Sequence, residues 1–146
     1  MPFDGDPKLY ATVLPPIPVP ADTPHGRLIQ LRDFLAALPD SRFNMDYWCE
    51  DISAWDQADL MEETGGRPQC GTIACIGGWA DVLAGVRRNE GTTVQTGERL
   101  GLDQWRAHDL FHPGPLQVPW GTIPVARAVR VLDHLIETGE VDWSIE

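Results

Sequence analysis

Three cysteines and two of the four histidines are the residues of this chain whose types suit chemistry at one centre. Cys49, Cys70 and Cys75 would supply three thiolates, and His108 or His112 an imidazole, which together make the donor set of a tetrahedral zinc site. Their spacing argues against it. Cys70 and Cys75 enclose four residues where a zinc knuckle has two or three, and no second close pair occurs. Cys75 also lies among Ile73 and Ile76, a setting for a small buried side chain. The other chemistry open to these residues is that of a reactive thiol, since free N–H groups at a helix N-terminus stabilise a thiolate. Catalysis would further need a base within hydrogen-bond reach, and the sequence sets no histidine beside Cys75. The Cys-x-x-Cys interval of thioredoxin-like sites is absent as well. The expectation is therefore no catalytic residue and no cofactor. Cys75 is expected to be buried and inert, and Cys70 the more accessible thiol.

A second concentration of chemical groups lies between Phe43 and Gly66. This stretch holds seven carboxylates and no basic residue, together with Tyr47, Trp48 and Trp55. Asp51, Asp56 and Asp59 lack the spacing and glycine of a calcium loop. Two readings stand. One is a solvated acidic face with its aromatic rings turned inward. The other is a docking surface for a basic partner, with Trp48, Asp51, Trp55, Asp56, Asp59 and Glu62 as contacts, because tryptophan supplies much interface energy when exposed. No phosphate-cradling glycine loop, nucleophile elbow or His-Glu-x-x-His motif occurs.

The elements that must position these groups are mostly helical. Thr23-Pro24 provides an N-cap followed by proline at the first helical position, with Leu28, Leu31, Phe34, Leu35 and Leu38 at helical spacing and Pro39-Asp40 as a stop. Phe43, Met45 and Tyr47 alternate as in an extended segment. The spacing of Ile73, Ile76, Ala80 and Leu83 predicts a helix over 73–84 with Thr72 as N-cap and Gly85 just beyond its end. Gly77-Gly78 inside it would lower helix propensity by about 1 kcal/mol per glycine. The pair therefore signals a close approach by another backbone or a ring, expected from the last helix. Thr93 caps a short helix ending at Gly101, and Asp103 caps another from Gln104 to about His112. Leu102, Trp105, Leu110 and Phe111 are that helix's apolar members. Thr122 opens a final helix with the stripe Val125, Ala128, Val129, Leu132, Leu135 and Ile136. Gly139 ends it, and Val141 and Trp143 fold back on that end.

Six of the thirteen prolines fall in residues 1–22. Leu14-Pro-Pro-Ile-Pro-Val-Pro20 excludes helix there and favours an extended arm lying on the domain, with an SH3-type ligand as the alternative. The fold class expected is mainly α. A single compact domain of four to five helices over 23–146 would carry a Pro-rich arm over 1–22 and at most a short strand pair.

A net charge of −11 over 146 residues, with Lys8 the single lysine, repels phosphate backbones and anionic membranes. The helix pair 93–101 and 104–112 resembles a helix-turn-helix in outline. Its second helix offers Gln104, Arg106, His108 and Asp109 in acidic surroundings, which disfavours nucleic-acid binding. No run of eighteen apolar residues occurs, and Met1-Pro2-Phe3-Asp4 lacks the start of a signal peptide, so the expected location is the cytoplasm.

Phe43-Asn-Met-Asp-Tyr-Trp48, Cys70-Gly-Thr-Ile-Ala-Cys-Ile-Gly-Gly-Trp-Ala80, Leu100-Gly-Leu102 with Ala107 to Phe111, and Glu137-Thr-Gly-Glu-Val-Asp-Trp143 resemble a family of small uncharacterised proteins of bacteria and their phages. The resemblance spans residues 25–143 and implies an origin, with no activity, cofactor or catalytic residue attached. The function expected is that of a non-enzymatic protein-binding or regulatory module, working on a protein partner or on itself. A cysteine-based metal or redox site and a nucleic-acid binder are the alternatives.

Overall fold

The computed structural model describes residues 15–51, 72–86, 92–114 and 118–145. Its architecture is mainly α, with five α-helices and one short antiparallel strand pair among the described residues. Helix α1, Pro24–Ala36, begins as its sequence dictates: Thr23 Oγ1 accepts from the Gly26 N–H at 3.0 Å, and Pro24 occupies the first helical position where no N–H is missed. Leu28, Leu31, Phe34 and Leu35 form its buried face. Helix α2, Ile76–Leu83, is buried at every position. Helix α3, Thr93–Arg99, packs on α4, Gln104–Phe111, and the terminal α5, Val125–Thr138, lies along α1. Helix α2 sits at the centre, touching α1, α3 and α4.

Three helix starts differ from the expected ones, two of them because a group distant in sequence takes over from the local cap. Thr72 does not cap α2. Thr72–Ala74 is strand β2 and pairs with β1, Cys49–Asp51, in the register Cys49↔Ala74, Glu50↔Ile73 and Asp51↔Thr72. The chain then stays extended, with the Ala74 carbonyl accepting from Asn44 N (3.0 Å) and Cys75 N donating to the Tyr47 carbonyl (2.7 Å). Only after Cys75 can helix begin. In α5 the expected cap Thr122 spends its hydroxyl on the Pro119 carbonyl inside a 3₁₀ turn, Trp120–Thr122. The Val125 N–H is met instead by Asp40 Oδ1 at 2.8 Å, from the far end of the sequence. Helix α3 is capped one residue earlier than expected, by Thr92. The helix ends agree with the glycines: Gly85, Gly101 and Gly139 all have φ between 75° and 79°, the left-handed region that glycine enters without a Cβ penalty.

The glycine pair of α2 does meet a close neighbour, but the last helix is not it. The neighbour is Trp48, on the segment leading into β1. A Cβ on Gly77 would press into the Trp48 ring, 2.9 Å from Cζ2, and one on Gly78 would land on the Trp48 carbonyl oxygen while lying 2.8 Å from Ala74 Cβ. One glycine thus admits a ring and the other a backbone.

The tryptophans divide. Trp79 is fully buried, stacked at a tilt on Phe34 with centroids 5.2 Å apart, and donates Nε1 to the Arg42 carbonyl at 3.0 Å. Trp143 folds back as expected, buried, with Nε1 on the Asp109 carbonyl at 2.9 Å. Trp105, expected in the core, is 72% exposed. Its place on α4 is turned away from Ala107, Leu110 and Phe111, which carry the buried face.

The described part of the proline-rich arm, residues 15–22, lies extended on α1. Gln30 reads its backbone with both ends of one amide: Oε1 accepts from Ala21 N (2.9 Å) and Nε2 donates to the Val19 carbonyl (2.8 Å). Pro15, Pro16 and Pro18 rest beside Asp33, Phe34 and Ala37.

Candidate functional site

Cys75 is the N-cap of α2. Its Sγ accepts from the Gly78 N–H at 3.4 Å, and the side chain is 2% exposed. Burial pushes the thiol up to about 12, and the Gly78 and Gly77 N–H groups offset only part of that. This is the reverse of a reactive or metal-ligating thiolate. Cys49 contributes backbone to β1 opposite Ala74. Cys70, Trp55, Asp56, Asp59 and Glu62 lie outside the described residues, as does the side chain of Asp51. His108 and His112 do come together on α4, with ring centroids 4.9 Å apart. Among the described residues no group of three His, Cys, Asp or Glu side chains is placed to hold a metal ion.

The Cys75 thiol makes a pH prediction. Below its ordinary value of 9.0 both folded and unfolded thiols keep their proton, so pH is without effect. Above it the unfolded thiol ionises and the folded one does not until about 12, so the unfolded state gains. Stability should fall through that window by about 1.4 kcal/mol per pH unit relative to a Cys75→Ala variant. Urea titrations of both proteins at intervals from pH 8 upward check this. Equal slopes would show that Cys75 ionises freely in the fold.

A buried carboxylate that the sequence analysis passed over organises the centre. Asp81, on α2, is 5% exposed and accepts three hydrogen bonds: from Trp48 Nε1 to Oδ2 (2.8 Å), and from Thr96 Oγ1 (2.6 Å) and Arg99 Nη1 (3.2 Å) to Oδ1. It ties α2 to α3 and to the segment before β1. The signal was a lone charge within Ile76-Gly-Gly-Trp-Ala-Asp-Val-Leu83, where every neighbour is apolar or glycine. Trp48, expected as a partner contact, is committed inward by this bond. Its ring also stands edge-on to Phe111 at 5.5 Å.

The outer face of α4 carries the exposed aromatic groups. Trp105, His108 and His112 follow at i, i+3 and i+7, so they share one stripe. The stripe continues across the chain to Trp120, whose ring centroid lies 6.0 Å from that of His112. His112 is held below the usual histidine range by burial and then by the charge of His108. Carboxylates flank the strip: Asp109 stands with Oδ1 3.9 Å from His108 Nδ1, and Asp46 Oδ2 abuts Gly121, next to Trp120. The arginine of this helix, Arg106, is tied to Asp103 and Glu140 and donates Nε to the Gly139 carbonyl at 2.7 Å. The second helix of the helix-turn-helix outline therefore turns Trp105, His108 and Asp109 to solvent, with its own arginine already paired.

No family model, curated protein or solved structure matches the chain. Among the described residues no helix is long and apolar enough to cross a membrane.

Proposed function

We propose that this chain is a non-enzymatic, cytoplasmic protein-binding module of bacterial or phage origin, and that it takes a basic segment of a partner protein on the outer face of α4. The observation that carries the reading is Trp105, a large aromatic side chain 72% exposed on a regular helix, in line with His108, His112 and Trp120. The faces of aromatic rings attract arginine and lysine heads. Asp109 and Asp46 flank the strip, and the net charge of −11 draws a cationic segment toward it. A second copy of the chain would meet this face with the same sign of charge, which favours a different partner over self-association. Asp46 is the first carboxylate of the acidic stretch 46–63, and Asp56 and Asp59, outside the described residues, remain proposed contacts for the same basic segment.

An arginine- and lysine-rich peptide, titrated against tryptophan fluorescence, tests the reading. Saturable binding is expected, weakening with salt. Trp105→Ala should reduce affinity roughly tenfold or more while the melting temperature stays put, because the side chain packs against little. Asp109→Lys should weaken binding in the same direction. Unchanged affinity in Trp105→Ala would remove α4 as the contact face.

A further inference from the structure

We infer that the cleft between α1, α2 and α3 is a binding site for a small organic anion with an apolar tail, such as a short-chain carboxylate. The cleft holds a cavity of about 240 Å³, below the roughly 300–1,000 Å³ of sites for larger organic ligands. A nucleotide is too large for it. Leu31, Leu83 and Leu100 supply apolar wall, Pro20 of the arm closes one side, and Arg27 and Arg99 line it with charge. Two cations in one small cavity stand out in a chain of net charge −11.

The charge balance within the cleft is what points to an anion. Arg27 donates to three backbone carbonyls, those of Ala21 (2.9 Å), Arg99 (3.2 Å) and Asp22 (3.4 Å). These are neutral acceptors, and among the described residues no carboxylate forms an ion pair with Arg27. Arg99 gives Nη1 to Asp81, while its Nε and Nη2 meet no acceptor among the described residues. Asp81 is in turn shared with Trp48 and Thr96. Of the two positive charges lining the cavity only Arg99 meets a carboxylate, and the acceptor capacity of that carboxylate is already drawn on. An anionic head would complete the arginine fork, and the leucine wall would take an alkyl tail. Gln30 does not compete, since both ends of its amide hold the arm.

The test is a titration of the full chain with hexanoate, followed by amide chemical shifts and calorimetry, with hexanol and inorganic phosphate as controls. Hexanoate is expected to saturate, moving the amides of Ala80, Leu83 and Leu100, and to bind at least roughly tenfold tighter than either control. Arg99→Gln should weaken it by a similar factor. Ala84→Leu fills the cavity from a lining position whose own side chain makes no hydrogen bond to Asp81, so it should abolish binding while the melting temperature shows that the chain still folds. The proposal is overturned if hexanoate gives no saturable shift, if Ala84→Leu binds it normally, or if a control matches it. A match by hexanol would remove the arginines from the account, and a match by phosphate would remove the apolar wall.

Discussion

Gly78→Ala should destabilise the chain by about 3 kcal/mol or more, the upper part of the range for overpacked cores, out of a total of roughly 5–15 kcal/mol for an ordinary domain. The added methyl would coincide with the Trp48 carbonyl oxygen and crowd Ala74 Cβ. Neither can withdraw cheaply. Trp48 immediately precedes β1, whose register places Cys49 opposite Ala74, and the neighbouring Tyr47 carbonyl accepts from Cys75 N at 2.7 Å. Moving the Trp48 backbone therefore breaks the strand pair and the start of α2 together. Gly77→Ala differs in kind, because its methyl meets the Trp48 ring rather than backbone. Trp48→Leu itself gives up the bond to Asp81, but in that background Gly77→Ala should cost much less than in the parent chain, whereas Gly78→Ala should cost as much as before. Urea midpoints of the parent chain, the three single variants and the two double variants measure this. If Gly78→Ala melts like the parent chain, the close approach of the two backbones is wrong.

That pair of glycines also shows where sequence reasoning reached its limit. Two glycines in an apolar helix announce a near neighbour, since helix propensity alone disfavours them. They carry no address, and Trp48 stands some thirty residues away on a segment with little periodicity of its own. Local signals read true where both partners lie within one turn: Thr23 with Gly26, Asp103 with Arg106, and the left-handed glycine at 139. They failed where a distant group took the role. Thr72 has the chemistry of a cap, but β1 claims its backbone, and Asp40 caps α5 across 85 positions. Trp105 was drawn into the expected core by its neighbours Leu102 and Leu110, although a helical wheel sets it apart from Ala107 and Phe111. The candidate sites divide in the same way. His108 and His112, offered by the sequence as alternative ligands, meet because they stand four apart on one helix. The arginine cleft has no such local origin, because Arg27 and Arg99 meet only when α1 and α3 pack.

Asp81→Ala is expected to cost about 3–5 kcal/mol, the range for removing one member of a buried charged network. The substitution deletes an acceptor that serves three donors on three segments: Trp48 before β1, and Thr96 and Arg99 on α3. Each is left buried or half-buried without its partner, and an unmet buried donor loses its hydration with no return. Asp81→Asn separates charge from shape. Its amide oxygen can still accept, but its NH₂ group faces donors, so it should recover only part of the loss. Thr96→Val, which removes one neutral donor and leaves the carboxylate its other two, should cost about 1–2 kcal/mol. The ordering Ala, then Asn, then Val is the informative result, read from equilibrium unfolding of each variant. A double-mutant cycle between Asp81→Ala and Arg99→Gln should show coupling of about 1 kcal/mol or more, since the two side chains are in contact. Additive losses would mean that Arg99 is held by its surroundings and not by Asp81. In that case Asp81 would hold α3 through the Thr96 hydroxyl alone, alongside its bond to Trp48.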